Sequence, residues 1–334
     1  MHVPTSADSD SLVPSIPSRP LLKWAGGKRQ LLPMLNRHVP LRFTRYIEPF
    51  FGSGAVFFDL AARGALDGRR VVIADVNPDL IGCYTMVRDH TDAVIAALDE
   101  LAWDYRRRGH AAYYDVRDQR FNPARAGLAR GEGGEYTPEI AAMLIFLNRT
   151  GFNGLFRLNR SGAFNVPAGR YSDPKICDAA HVRAVGAAFR RESVTLQLQP
   201  FDVTLRRVGP GDFVYCDPPY APLSRTASFA SYTADGFSAF DQARLQRAVI
   251  AACRRGACVV VSNSSAPEIV DLYSTADARQ AGLAVRRVPA RRAINSRAES
   301  RGPVDELIVT NVAAGGRLRM AKMGAAVTRR AKTA

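Results

Sequence analysis

The stretch Tyr46-Ile-Glu-Pro-Phe-Phe-Gly-Ser-Gly54, read together with Val71-Val-Ile-Ala-Asp75, decides the fold. Tyr46 and Ile47 predict a short strand, Phe50–Gly54 a tight turn, and the residues from Val56 to Arg63 a helix. The β-branched run Val71–Ile73 predicts a second strand that ends on an acid, Asp75, before a further helix from Pro78 to Arg88. Strand, glycine turn, helix and acid-tipped strand form the opening βαβ unit of a nucleotide-binding α/β sheet. Glycines let the backbone approach a ligand closely, and the helix behind them offers its N-terminus. The spacing is not G-x-G-x-x-G, because Phe57 stands at the third glycine position, so a plain βα turn fits these residues as well. Asp75 also has two readings: acceptor for a ribose diol, or N-cap of a helix whose first turn holds Pro78.

Upstream, Leu21–Leu32 reads as a Gly-Gly turn with a lysine opening a helix. Residues 1–18, rich in Ser, Pro and Asp, read as a disordered leader without an apolar signal core. Downstream, helices are expected at Asp92–Tyr105, Tyr113–Arg120, Pro138–Leu147 and Asp178–Arg191, around a Gly/Asn-rich stretch. Strand patterns return at Val194–Gln199, Phe213–Cys216, Cys258–Val261, Ala284–Val288 and Leu307–Thr310, with a helix from Phe240 to Arg254. The economical organisation is one α/β domain, residues 19–91 and 193–314, interrupted by a helical insertion, 92–192, and followed by a basic disordered tail, 315–334.

The formal net charge of +15 favours a polyanionic partner, most simply nucleic acid. Six cations in the tail account for part of it, and the remaining +9 belongs to the body. Only five of the 46 basic residues are lysines, a bias that reads mainly as codon usage, so the number of arginines alone does not prove phosphate binding. No apolar run reaches the roughly 18 to 20 residues of a membrane span. Five cysteines without a C-x-x-C pair and five scattered histidines argue against a disulfide framework or a metal site, and point to a reducing cytoplasm.

The sharpest chemical element is Asp217-Pro-Pro-Tyr220, placed directly after the apolar strand Phe213–Cys216. Two prolines remove two N–H donors, so the loop presents carbonyl oxygens. The Asp217 carboxylate and the Pro218 carbonyl then offer two acceptors at one place, beside the flat face of Tyr220. That set suits an exocyclic amine on a planar base: accepting both amine protons draws the nitrogen towards sp3, and no strong general base is needed if the electrophile is a sulfonium. A Pro-Pro turn carrying a surface tyrosine is the plainer alternative. Placement at the carboxyl end of a strand, opposite a nucleotide-type first half, favours function.

Taken in order, the motifs from residue 21 to 311 resemble the Dam-type (D12 class) DNA adenine-N6 methyltransferases. The ordered set runs Lys23-Trp-Ala-Gly-Gly-Lys28, Glu48–Gly54, Ala74-Asp-Val-Asn77 and Asn148-Arg-Thr-Gly-Phe-Asn-Gly-Leu155. It continues through Phe164-Asn-Val-Pro-Ala-Gly-Arg-Tyr171, Asp217–Tyr220, Ser262-Asn263, Arg292-Ala-Ile294, Arg301 and Glu306-Leu307. The resemblance implies a class I S-adenosylmethionine-dependent fold, a mostly parallel seven-stranded α/β sheet with a helical DNA-recognition insertion. It implies that Trp24, Lys28, Phe51, Gly52, Asp75 and Asp217 hold S-adenosylmethionine, with Lys28 suited to the methionine carboxylate, Asp75 to the ribose hydroxyls, and Phe51 with Gly52 to the methionine side. Asp217, Pro218 and Tyr220 are then catalytic, no metal takes part, and Glu48 orders the turn.

Between Arg149 and Tyr171 stand Arg149, Arg157, Arg160 and Arg170 with no acid, interleaved with Phe152, Phe156, Phe164 and Tyr171. The pattern predicts a hairpin turning at Asn159–Gly162. A solvated hairpin explains it equally; the resemblance implies instead that it enters the major groove of double-stranded DNA. Arg157 would read a guanine, Asn153 and Leu155 would contact neighbouring bases, and Asn159 and Tyr171 the backbone, within a GATC target. The arginines from Arg286 to Arg301 suit phosphate contacts. The implied protein is cytoplasmic and nucleoid-associated, and acts on DNA as a monomer or weak dimer. Two rivals are a methyltransferase for RNA guanine or a glutamine amide, and a DNA-binding protein that has lost catalysis. The long insertion and the Arg157 hairpin argue against the first, and the intact Asp217–Tyr220 and Asp75 against the second.

Overall fold

A computed structural model describes residues 19–221, 237–291 and 303–318, apart from Ala25, Gly27, Gly133 and Glu192. The expected leader, most of the polar loop Ala221–Phe237 after the Pro-Pro motif (a cover for a flipped nucleotide or a plain crossover, by sequence), the Arg292–Arg301 part of the basic cluster and the tail beyond Leu318 lie outside the described residues.

The expected strands all form: β1 (Arg45–Glu48), β2 (Arg70–Asp75), β3 (Val194–Leu198), β4 (Asp212–Cys216), β5 (Cys258–Ser264), β6 (Ala284–Arg291) and β7 (Pro303–Thr310). They make one seven-stranded sheet in the order β3-β2-β1-β4-β5-β7-β6. The pairs are parallel from β3 through to β5, and β7 runs antiparallel to both β5 and β6. Helices cover both faces of the parallel part, which is why β2, β4 and β5 carry near-continuous apolar runs in place of an alternation. The order reverses between β1 and β4. Their carboxyl ends therefore open the crevice where α/β sheets bind ligands.

The helices are α1 (Leu32–Leu35), α2 (Ala55–Ala62), α3 (Pro78–Asp89), α4 (Thr91–Arg108), α5 (His110–Asp115), α6 (Asn122–Arg130), α7 (Pro138–Thr150) and α8 (Ala179–Phe189), then α9 (Phe201–Arg206), α10 (Ala239–Arg254), α11 (Pro267–Tyr273) and α12 (Ala276–Gln280). The helix expected over Tyr113–Arg120 is instead α5 followed by a π-helical turn, Val116–Phe121, leading into α6. Pro123 explains the wider turn, because it has no N–H for the carbonyl four residues back. The Pro and Gly in α6, and its lack of any buried residue, conceal that helix from a reading of periodicity.

Two features fix the site's floor. Phe51, Phe57, Phe58, Tyr84 and Phe189 pack with ring centroids 5.0–6.0 Å apart, locking the Gly52–Gly54 turn to α2, α3 and α8. The buried Asp79 on α3 accepts from Arg125 Nε on α6 at 2.8 Å, tying the middle helices to the sheet layer.

Candidate active site

The turn after β1 and the loop after β4 leave the sheet side by side. Gly52 and Gly54 hold φ of +50° and +71°, a left-handed conformation that costs glycine little. A Cβ on Gly52 would lie 3.1 Å from Trp24 Cδ1, so the glycine keeps the turn in direct contact with the indole. Trp24 in turn stacks on the buried Phe156 at 5.2 Å. Asp75 lies across the turn: Oδ2 accepts from Gly52 N and Oδ1 from Asn77 N, both at 3.0 Å. The alternative role for Asp75, capping the next helix, is filled by Asn77, whose side chain accepts from Leu80 N. Burial pushes the Asp75 carboxyl above its usual range, and these amides pull it partly back.

Asp217 is half-buried, and Lys28 approaches it from the first turn of the chain. Lys28 Nζ lies 2.8 Å from Asp217 Oδ1 and 4.4 Å from the centre of the Tyr220 ring. Ser262 Oγ donates to the same Oδ1 at 2.8 Å. Among the described residues no group donates to Asp217 Oδ2 or to the Pro218 carbonyl, whereas the Pro219 carbonyl is taken by Gln242 Nε2 at 2.9 Å. Among the described residues, the two acceptors expected for an amine are therefore the two left open. Burial raises the Asp217 carboxyl above its usual range, and the Lys28 ammonium opposes that rise. Tyr220 donates its phenol proton to Glu306 Oε2 at 2.7 Å. Behind them the fully buried Glu48 accepts from Tyr46 at 2.8 Å, and desolvation pushes its carboxyl far up.

The residues expected at the cofactor gather here with one difference of role. The Phe51 ring points into the aromatic core, only 2% exposed, so what it presents to the crevice is main chain. Gly52, Asp75, Trp24 and Lys28 fit a cofactor carrying a ribose and a carboxylate: a left-handed glycine that a side chain would crowd, a half-buried acid with amide-fixed oxygens, an aromatic wall and a cation.

The hairpin turns where expected, through Asn159 N to Ala163 O and Asn165 N to Arg157 O, although its pairing is a single Leu158–Phe164 bridge and not two regular strands. Asn159 Oδ1 accepts from Ser161 N, Ser161 Oγ and Ala163 N, so it shapes the turn. Arg157 is exposed, with Nε and Nη2 on Asn165 at 2.8 and 3.3 Å. Asn153 is exposed at φ 54°, and Leu155 packs on the core. Tyr171 lies under Lys23 Nζ at 5.0 Å. Not every basic or aromatic residue of the segment faces outward. Arg149 turns inward to the Leu21 carbonyl, its ionisation disfavoured by burial, and Phe156 and Phe164 are core residues.

Reading the sequence missed Lys23, which Asn148 holds by both its N–H and its carbonyl beside the hairpin. It also assigned no role to Ser262, Asn263, Gln242 or Glu306. The signal available for these was polarity, since Ser262-Asn263-Ser264 ends an otherwise apolar strand.

A family model described as D12 class N6 adenine-specific DNA methyltransferase matches residues 24–286. A Type II methyltransferase, M1.LlaDCHI, from Lactococcus lactis subsp. cremoris is 36% identical over 88% of this chain and 95% of its own length. The Type II methyltransferase M.MjaIII of Methanocaldococcus jannaschii is 35% identical over 88% of this chain and 99% of its own. The DNA adenine methylase of Escherichia coli K12 is 34% identical over 87% and 94%. Among solved structures, the rRNA methyltransferase aviRa from Streptomyces viridochromogenes aligns with a TM-score of 0.32 and 16% identity, covering 91% of this chain and 88% of that one.

Proposed function

We propose, from the premise that this chain belongs to the D12 class of N6 adenine-specific DNA methyltransferases, that it methylates an adenine turned out of the duplex within GATC, with Asp217, Pro218 and Tyr220 receiving the base. S-adenosylmethionine is the methyl donor; when bound it supplies a sulfonium methyl that an amine can attack without acid assistance. Flipping costs a few kcal/mol of unstacking, and the pocket must return that energy by stacking and hydrogen bonding.

The observation that carries this reading is the open pair of acceptors, Asp217 Oδ2 and the Pro218 carbonyl, beside the Tyr220 ring. N6 donates one proton to each, which directs its lone pair away from both. Tyr220 fixes the plane of the base. Asp75 takes the ribose hydroxyls, Trp24 and the Gly52 turn wall the cofactor, and Lys28 swings from Asp217 to the cofactor carboxylate. With the cofactor bound, transfer of its methyl group to N6 would break the S–C bond and leave the electron pair on sulfur; N6 then sheds a proton, which the Asp217 carboxylate, made more basic by burial, accepts. Positioning supplies most of the acceleration.

Recognition falls to residues 92–192, with residues 19–91 and 193–314 forming the catalytic part. Arg157 reads a guanine edge, Asn153 and Leu155 contact adjoining bases, and Asn159 and Tyr171 contact the backbone. Sequencing plasmid DNA for modified bases from a host expressing the protein tests this directly. Methylated adenine confined to GATC is expected; methylation at another motif overturns the target, and none at all overturns the reaction.

A further inference from the structure

Ser262-Asn263-Ser264 and Glu306 are still without a role, although they stand on the antiparallel pair β5–β7, where Ser264 faces Glu306 in register. Ser262, Asn263 and Ser264 are fully buried at the end of a valine-rich strand, a costly place for polar side chains unless they are hydrogen-bonded. Their partners lie in the Asp217–Ala221 loop, or on Tyr215 and Gln242, which flank it. Ser262 Oγ donates to Asp217 and is itself bonded to Tyr215 OH at 2.9 Å. Asn263 Nδ2 donates to Gln242 Oε1 at 3.0 Å, and Gln242 Nε2 donates to the Pro219 carbonyl. Ser264 Oγ donates to the Ala221 carbonyl at 2.7 Å. Glu306 accepts from Tyr220. A loop with two consecutive prolines has few backbone donors of its own, so side chains from outside must fix it.

We propose that this strand end is a positioning frame for the catalytic loop, in which Glu306 sets the plane of the Tyr220 ring and Ser262 the rotation of the Asp217 carboxylate. The inference rests on the reading of Asp217 and Tyr220 as the residues that receive the base. Glu306 meets no substrate; it acts through Tyr220. Tyr220 reaches Glu306 through its phenol oxygen alone, so that one bond decides whether the ring stands parallel to an incoming base or swings aside.

The test uses the full chain with Glu306→Ala, Glu306→Gln, Tyr220→Phe, the Tyr220→Phe/Glu306→Ala double variant and Ser262→Ala. Single-turnover methyl transfer is measured at saturating S-adenosylmethionine, alongside cofactor affinity and the fluorescence of 2-aminopurine at the target position. Glu306→Ala is expected to slow transfer roughly tenfold or more, the worth of a hydrogen bond to a charged group, and to weaken the quenching that stacking on Tyr220 gives. Glu306→Gln, which keeps an acceptor, restores most of the rate. The double variant is no slower than the slower single variant, because both remove one bond. Ser262→Ala slows transfer with cofactor affinity unchanged.

A Glu306→Ala protein with the wild-type rate and quenching overturns the proposal, as do single effects that multiply in the double variant. Equal losses in rate and in cofactor affinity also overturn it, because they mark a general structural role. Should the wild-type protein itself transfer no methyl group, the underlying reading of the reaction fails, which is distinct from indifferent frame variants in an active enzyme.

Discussion

Lys28 Nζ and Asp217 Oδ1 lie 2.8 Å apart, and the same ammonium stands 4.4 Å over the Tyr220 ring, in the space the proposed stacked base would take. On the proposed reading of the site, a base enters only after Lys28 withdraws, and a cofactor carboxylate is the anion that draws it away. Cofactor and base binding are then linked, each favouring the other by the same factor.

That linkage gives the first prediction. With 2-aminopurine as the target base, the wild-type protein inserts the base strongly only when the cofactor or its demethylated product is present. Lys28→Met inserts it without cofactor while losing cofactor affinity. A Lys28→Met protein that still requires cofactor for the fluorescence change removes the gating role.

Asp75 gives the second. A backbone amide fixes each of its carboxylate oxygens beside the glycine turn, where the ribose hydroxyls are proposed to bind, so Asp75→Ala should weaken S-adenosylmethionine binding roughly ten- to a hundredfold. Calorimetry measures it, and an unchanged dissociation constant removes Asp75 from the site.

Glu48 gives the third, which concerns stability. Burial raises its carboxyl far above the usual range in the folded chain, only partly offset by the Tyr46 bond, with Asp217 and Asp75 adding to the rise. The folded state therefore holds a proton that the unfolded chain has already released, and stability falls as pH rises from the ordinary glutamate range through the raised value. Glu48→Gln keeps an acceptor for Tyr46 and is neutral without taking up a proton. Its thermal midpoint should exceed that of the wild type at neutral pH, and its stability should lose that slope. A lower midpoint for the Gln variant would show that the ionised carboxylate is needed for folding.

Strand positions and the first βαβ unit were legible because β-branched runs and glycine turns are local signals. The partners of Asp217 were not, since Lys28, Ser262 and Glu306 reach it or Tyr220 from three distant segments joined only by the sheet. Sequence favoured the Lys28 ammonium for a cofactor carboxylate; the fold adds the protein's own carboxylate as its present partner. The aromatic residues of the hairpin were ambiguous in the sequence for a related reason. Phe156 and Phe164 alternate with cations just as base-facing residues would, yet the hairpin lies on the helices and buries them.

Arg157 carries the fourth prediction. Its guanidinium is exposed, with Nε and Nη2 on Asn165, which leaves Nη1 and the second Nη2 proton for the proposed two-point contact with a guanine edge. Arg157→Ala should lose roughly 1–3 kcal/mol of discrimination at one base pair and leave the others specified. Arg157→Lys should not rescue it, because an ammonium lacks the planar fork. Methylation rates on single-mismatch duplexes at fixed salt decide the matter; a uniform fall across all duplexes would make the residue a phosphate clamp.

Direct product analysis tests the centre of the account. The purified full chain is incubated with S-adenosylmethionine and a GATC duplex, and the digested nucleosides are weighed by mass spectrometry for the wild type and for Asp217→Ala. N6-methyladenine from the wild type, reduced roughly a hundredfold or more by Asp217→Ala at saturating cofactor, is the expected result. Near-normal formation of N6-methyladenine by Asp217→Ala, or methyl groups on a base other than adenine, would contradict it.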